Sequence, residues 1–275
     1  MNLPGACWLT LTRRSALLIL LTVPNVAIVS AEDVAPLSQA HSHNDYLHER
    51  PLLDALEYGF CSVEADVFLV DGELLVGHSR TELRPSRTLE ALYLAPLRER
   101  VAENRGRVYP DGPTFTLLVD IKSDAESTYV AIRKTLHQYG DIVTTIRNGQ
   151  IEEKAVTVIL SGNRAAEKIA ADPIRLAAID GRLADLGTTR ASDLVPLISD
   201  RWTSHFTWHG DGSMPLAERQ KLHDIVRQAH QAGRRVRFWA TPDEPAVWRE
   251  LIRAEIDLIN TDDLAGLQMF LLNEQ

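Results

Sequence analysis

Cysteine is almost missing from this chain of 275 residues, which holds only Cys7 and Cys61. With the N-terminal leader argued below removed, Cys61 alone remains, so no internal disulfide can form and the fold must rest on its apolar core. Cys61 borders an apolar run and is expected to be a small buried hydrophobe. A basic tract is missing too: 29 Lys+Arg stand against 38 Asp+Glu, a formal charge of −9. That balance argues against a nucleic-acid partner or an anionic membrane surface held by charge. No linker rich in Pro, Gly or Ser, no repeat and no low-complexity segment divides the chain. One domain over residues 32–275 is therefore expected.

The composition that remains is that of an ordinary globular protein, 45% hydrophobic and 24% charged. The N-terminus departs from it. Arg13 and Arg14 precede an apolar stretch, Ala16 to Val29, broken by Pro24 and Asn25. Small residues follow at Ser30 and Ala31, so the segment reads as a secretory signal peptide over residues 1–31. It is too short and broken to span a membrane, although an uncleaved anchor is the competing reading. Thr12-Arg13-Arg14-Ser15 weakly resembles a twin-arginine export signal. Cleavage near Ala31 would leave 244 residues, and loss of both arginines would deepen the charge from −9 to −11. The expected location is periplasmic or secreted, with no stable membrane span in the mature form.

Eight short runs rich in Val, Ile and Leu follow: Leu37–His43, Ser62–Val70, Phe115–Lys122, Ala155–Ser161, Leu176–Asp180, Leu194–Asp200, Arg235–Ala240 and Ile256–Asp262. Between several of them the apolar period changes to that of a helix. Leu222, Ile225, Val226 and Ala229 share one face, and Gly233 follows where a helix would end. Asp243 before Glu244–Pro245 is expected to cap the next helix. Asp71–Gly72 predicts a hairpin appended to the second run. Eight strands with helical connections point to an α/β fold, a (β/α)8 TIM barrel. An open doubly wound sheet is the alternative, but no Gly-rich phosphate fingerprint follows the first run.

The C-terminal ends of these runs carry polar residues: His41 and His43, Glu64 and Asp66, His78, Asp120 and Lys122, Ser161, Asp180, Asp200 and Asp262. A barrel enzyme places its chemistry at that end. Because side chains alternate along a strand, Glu64 and Asp66 share one face, opposite Val63, Ala65 and Val67. Leu118, Asp120 and Lys122 likewise oppose Leu117, Val119 and Ile121. Carboxylates gathered at one mouth repel one another unless a cation sits among them. Glu64, Asp66 and Asp120, with the Asn44 amide oxygen, form an all-oxygen set suited to one divalent cation, Mg²⁺ or Ca²⁺. For Asp120 a structural ion pair with Lys122 is equally consistent.

His137, His223 and His230 fall on expected helices, where a solvated face accounts for them. His48, His205 and His209 fall in loops. His41, His43 and His78 end strands beside the carboxylates, where general acid–base chemistry is expected. Arg80, Arg84 and Arg87 either form an exposed basic loop or hold a second anionic group. Trp239 either walls a pocket or packs in the core.

Three motifs then fall into a pattern: Ser42-His43-Asn44-Asp45-Tyr46, Ser62-Val63-Glu64-Ala65-Asp66-Val67, and Asp71-Gly72 followed by Glu73 to His78. Together they resemble the PI-specific phospholipase C / glycerophosphodiester phosphodiesterase superfamily. The likeness is greatest to the branch that includes the fungal altered inheritance of mitochondria proteins, with their His-x-His-Asn-Asp-Tyr signature. It continues through Leu118-Val119-Asp120-Ile121-Lys122 to Asp257-Leu258-Ile259-Asn260-Thr261-Asp262-Asp263, and so covers most of the chain. The resemblance implies a distorted TIM barrel that cleaves phosphodiesters with two histidines and usually one divalent cation. Carried over by position, His43 and His78 are similar to the acid–base pair. Glu64, Asp66, Asp120 and Asn44 resemble metal ligands, and Lys122 a phosphate-binding cation.

Glycerophosphodiester phosphodiesterases usually carry His-Arg-Gly and Glu-Asn-Thr, which this chain lacks, and Ser79 follows His78 where Asp is usual. Alignment on Ala40-His41 instead makes His41 catalytic, so His41 stays a candidate. The expected activity is an exported, metal-dependent phosphoric diester hydrolase acting on a glycerophosphodiester or a lipid head group. An amidohydrolase-like enzyme is a rival, but its histidines at strands five and six are replaced by Asp180 and Asp200. A non-enzymatic binding barrel is the other.

Overall fold

The computed structural model describes Met1 and residues 34–274, so the expected leader lies outside the described residues apart from Met1. Twelve strands are present among them: β1 (Leu37–Ser42), β2 (Phe60–Val70), β3 (Glu73–Val76), β4 (Phe115–Ile121), β5 (Thr145–Arg147), β6 (Gln150–Glu152), β7 (Val156–Gly162), β8 (Ile174–Arg175), β9 (Ala178–Gly181), β10 (Leu197–Arg201), β11 (Arg235–Trp239) and β12 (Leu258–Thr261). Eight of them pair in parallel in the order β1-β2-β4-β7-β9-β10-β11-β12, and β12 pairs back onto β1. The sheet is closed, which removes its edges and makes this a (β/α)8 barrel.

All eight expected runs supply a barrel strand, with the fifth shifted to Ala178–Gly181. The hairpin is also present: β3 pairs antiparallel with β2, and Asp71 (φ 50°) and Gly72 (φ 88°) turn the chain with the positive φ values such a two-residue loop requires. A small antiparallel sheet of β6, β5 and β8 was not foreseen. The helix Pro245–Arg253 begins as expected, but Glu244 occupies the cap position without a side-chain bond. Asp243 does not cap that helix; its carboxylate instead accepts the Asp262 backbone N–H at 3.1 Å.

Strand parity divides the buried side chains as the sequence predicts. Val63, Ala65, Val67, Leu117, Val119 and Ile121 face outward into the main core beneath the helices, with Cys61 buried among them. Leu118, Ile159, Leu197 and Leu258 form a separate buried cluster. They come from β4, β7, β10 and β12, and the pairing sets Leu118 beside Ile159 and Glu64. This apolar plug fills the middle of the barrel. Above it the same strand faces carry Asp66, Asp120 and Ser161; below it they carry Ser62, Thr116 and Thr157.

Candidate active site

The first motif folds into a tight turn because one buried carboxylate holds it. Asp45 accepts the Ser42 hydroxyl at 2.8 Å and the Leu52 backbone N–H at 2.6 Å. Asn44 takes a left-handed conformation, φ 46°, which asparagine tolerates better than most residues. The turn delivers His43, Asn44 and Tyr46 to the C-terminal mouth of the barrel. There a cavity of about 210 Å³ is lined by His43, Asn44, Glu64, Asp66, His78, Asp120, Lys122, Ser161, Arg182, Arg237 and Trp239. All the residues expected at the site line it, with the exception of His41. Arg80, Arg84 and Arg87 do not; Arg87 reaches the Tyr46 carbonyl oxygen at 2.5 Å, and Arg80 lies over the Phe68 ring.

Glu64, Asp66 and Asp120 each offer an oxygen, and these atoms lie within 4.8 Å of one another. Burial pushes the Asp66 carboxyl up to about 6; the Glu64 and Asp120 charges add to the rise, while Lys122 and a Tyr46 hydrogen bond oppose it. Burial raises Asp120 as well, again against Lys122. The Lys122 ammonium stands 2.9 Å from Asp120 Oδ2 and 3.3 Å from Asp66 Oδ2, so the expected ion pair is present. It satisfies only one oxygen of each group. Asp66 Oδ1 and Asp120 Oδ1 are buried with no hydrogen-bond partner. Buried carboxylate oxygens without partners are costly, and an oxygen-only set of this size fits a hard divalent cation. Tyr46 OH lies 2.8 Å from Asn44 Oδ1, which also faces the cavity.

Gly162 explains why these carboxylates crowd so closely. It ends β7 at φ +64°, and a Cβ there would stand 1.9 Å from Asp120 Oδ1 and 2.5 Å from the Ile121 carbonyl oxygen. Gly162→Ala is expected to lose about 1–2 kcal/mol from the left-handed backbone alone. It should also displace Asp120, so divalent-cation affinity should fall with the urea midpoint. An unchanged affinity would show that Asp120 is not a ligand.

The two cavity histidines are held differently. His43 Nδ1 lies 2.9 Å from Asp262 Oδ1. Burial works against its charged form, but the Asp262 hydrogen bond and the Glu64 charge prevail and raise its pKa. His78 Nδ1 lies 3.1 Å from Tyr46 OH, whose shortest contact, 2.7 Å, is its donation to Asp66 Oδ2. With that one proton committed, Tyr46 accepts the Nδ1–H of His78 and leaves its Nε2 unprotonated.

His41 is fully buried. Its Nδ1 meets Ser62 Oγ at 2.7 Å, and its Nε2 accepts from Arg237 Nη1 at 2.6 Å. Burial and the Arg237 charge push it down to about 3, so it stays neutral. Arg237 also donates to Glu64 Oε2 at 2.7 Å. Burial alone would raise Glu64, but the Arg237 guanidinium holds it well below the usual carboxylate range.

Arg237, Arg182 and Tyr46 carried no assigned role in the sequence. In sequence Arg237 falls in the middle of the seventh run, Arg235–Ala240, away from its C-terminal end. In the closed barrel it points inward. Arg182 donates to Asp180 Oδ2 at 2.8 Å and stacks its guanidinium 5.1 Å from the centre of the Trp239 ring. Trp239 thus walls the cavity. Tyr46 stood in the quoted motif, and a tyrosine two residues after Asn44 was the available signal.

A closed parallel barrel with acid–base side chains and carboxylates at its C-terminal mouth is the arrangement of a barrel enzyme's active site. Solved structures agree on the fold. A glycerophosphodiester phosphodiesterase from Agrobacterium tumefaciens superposes with a TM-score of 0.52 at 14% identity, covering 86% of this chain and 100% of its own. One from Parabacteroides distasonis gives 0.51 at 15% identity, with 88% and 100% covered.

In sequence, the AIM6-like phosphodiesterase domain matches residues 29–175, and the glycerophosphoryl diester phosphodiesterase family matches residues 235–265. Altered inheritance of mitochondria protein 6 from Eremothecium gossypii is 33% identical, with 86% of this chain and 70% of that protein covered. Its homologue from Arthroderma benhamiae is 31% identical, with 82% and 81% covered. The chain belongs to the AIM6-like phosphodiesterase family.

Proposed function

We propose that this chain is an exported, divalent-metal-dependent phosphoric diester hydrolase acting on a glycerophosphodiester or a phospholipid-type head group. The observation that carries this reading is the group Glu64, Asp66 and Asp120, with two buried oxygens lacking partners, in one cavity with His43 and His78. The leader around Arg13-Arg14 supports export. Among the described residues no helix is long and apolar enough to cross a membrane.

Glu64, Asp66, Asp120 and the Asn44 amide oxygen would hold Mg²⁺ or Ca²⁺. When bound, such an ion supplies Lewis-acid stabilisation of charge on a non-bridging phosphate oxygen. The chain's own residues do the rest. Lys122, Arg182 and Arg237 bring positive charge to the cavity and favour an anionic substrate within it. His43 and His78 exchange the proton duties: one imidazole takes the proton from the attacking hydroxyl and the other gives one to the leaving oxygen. Asp262 orients His43 and stabilises its charged form, and Tyr46 fixes the tautomer of His78. His41 is proposed to support Glu64 and Arg237 from beneath and to take no part in proton transfer. A substrate with a hydroxyl beside the phosphate supplies its own nucleophile and yields a cyclic phosphate; otherwise water attacks.

Calorimetric titration tests the ion site directly. Metal-stripped protein is expected to bind one Mg²⁺ or Ca²⁺, and the Glu64→Ala/Asp66→Ala double variant to bind neither ion measurably. Equal affinity in the two proteins would remove the metal from this account.

A further inference from the structure

The barrel has a second cavity at its other end, its wall partly apolar and partly hydroxyl-bearing. It encloses about 240 Å³ and is lined by residues at or just before the N-terminal ends of the barrel strands, among them Thr116, Thr157 and Arg235, together with Ser192 and Asp193. Ile146 and Ile151 of the β5–β6 hairpin contribute to the wall. The plug of Leu118, Ile159, Leu197 and Leu258 fills the barrel interior on the side of the upper site. Strand β11 serves both chambers, since Arg235 and Arg237 share a face two residues apart.

Arg235 is anomalous there. Its guanidinium is half-buried, and its side-chain hydrogen bonds run to the neutral Thr116 hydroxyl, at 3.2 and 3.3 Å from Nη1 and Nη2. No carboxylate lies within ion-pair distance of it among the described residues. Asp193 is engaged by Arg175, whose guanidinium also donates to the Asp193 carbonyl oxygen at 3.0 Å. Glu153, also in the wall, accepts the Thr114 hydroxyl at 2.5 Å and lies 3.6 Å from Arg107. Asp257 on the far side is taken by His230 at 2.9 Å and by the Val236 backbone N–H at 2.7 Å. A guanidinium stays charged in any protein environment, so its partial burial carries a cost that the Asp257 charge offsets only from beyond ion-pair distance. Burial does lower its pKa, in keeping with that cost.

Around this charge stand hydroxyls, of which Thr157 and Thr114 spend their protons on Thr144 and Glu153 and Thr116 and Thr144 keep theirs. Thr116 Oγ accepts from Arg235 and keeps its own proton, and Thr157 Oγ1 and Thr144 Oγ1 lie 3.0 Å apart in the wall. A planar fork beside the Thr116 hydroxyl matches a tetrahedral oxyanion, which takes two parallel bonds from arginine. The volume suffices for such an ion with several waters, each of which claims about 30 Å³ in the liquid.

We propose that this lower cavity binds a small tetrahedral oxyanion, of the phosphate or sulfate type, through Arg235 and Thr116. The site is independent of the catalytic reading, because neither residue lines the upper cavity.

Sulfate titration by calorimetry tests the proposal, at constant ionic strength, in EDTA, and in a Lys122→Met background that weakens anion binding above. The expected result is saturable binding of one sulfate, weakened at least tenfold by Arg235→Gln. Thr116→Val, which keeps the shape and removes the hydroxyl, should weaken it severalfold with the far-ultraviolet dichroism unchanged. Equal sulfate affinity with and without Arg235, or no binding at all, would overturn the proposal. If Arg235→Gln does not fold, a selenate soak of wild-type crystals decides: an anomalous peak beside Arg235 supports the site, and its absence refutes it.

Discussion

His78→Ala and His43→Ala are each expected to lower kcat/KM for a phosphodiester by about 10²- to 10⁴-fold, the usual worth of a positioned general acid or base. The double variant should fall little further, because the two groups serve one proton-transfer sequence and their losses do not multiply. Neither change should unfold the protein. His78 is more than half exposed, and His43 gives up a hydrogen bond to a largely exposed carboxylate, a loss of roughly 1 kcal/mol. Metal titration of both variants should match wild type, which separates proton transfer from ion binding. Full retention of phosphodiesterase activity in either variant would remove that histidine from the mechanism.

Arg237→Met should act mainly on stability. Arg237 and Glu64 have side chains about 4% and 5% exposed and stand 2.7 Å apart, so removing the guanidinium strands a buried carboxylate. Breaking such a pair from one side costs about 3–5 kcal/mol. The pH dependence follows from the same pair. The Glu64 pKa is depressed in the fold, so its contribution is complete above the unfolded carboxyl range and is lost as pH falls through the lower folded value. In Arg237→Met that depression disappears and burial raises the carboxyl instead, so the variant's deficit against wild type should be largest near neutral pH and shrink as acid protonates Glu64. Saturating Mg²⁺ or Ca²⁺ should restore part of the deficit, since an ion bound at Glu64 replaces the missing charge. Urea melts at several pH values, with and without the ion, measure all three effects. A variant as stable as wild type in EDTA would contradict the pairing.

The barrel was legible because its strands are short apolar runs whose polar residues collect at one end. Parity alone sorted Glu64, Asp66 and Asp120 from Val63, Val67 and Val119, since alternation in a strand leaves no freedom. Parity could not separate His41 from His43. That depends on β1 ending at Ser42, with the chain leaving the barrel before His43. Arg235 and Arg237 lie at the start and in the middle of the seventh run, away from the C-terminal end where functional polar residues were sought. The β5–β6 sheet escaped notice because its strands have three residues each, too few for a period. Its Asn148–Gly149 turn, at φ 50° and 77°, was the visible signal. Asp243 looked like a cap by position, and its carboxylate is drawn instead to the backbone of Asp262, which follows β12 directly and stands two residues before the last helix, Leu264–Glu274.

The central claim is that a divalent ion held by Glu64, Asp66 and Asp120 works with His43 and His78 to cleave phosphodiesters. Hydrolysis of bis(p-nitrophenyl) phosphate and glycerophosphocholine by the protein lacking residues 1–31, first in EDTA and then with Mg²⁺ or Ca²⁺, tests it most directly. The account predicts no turnover in EDTA, restoration by one of the two ions, and no restoration in the Glu64→Ala/Asp66→Ala variant. Cleavage that persists in EDTA, or that the double variant retains, would contradict it.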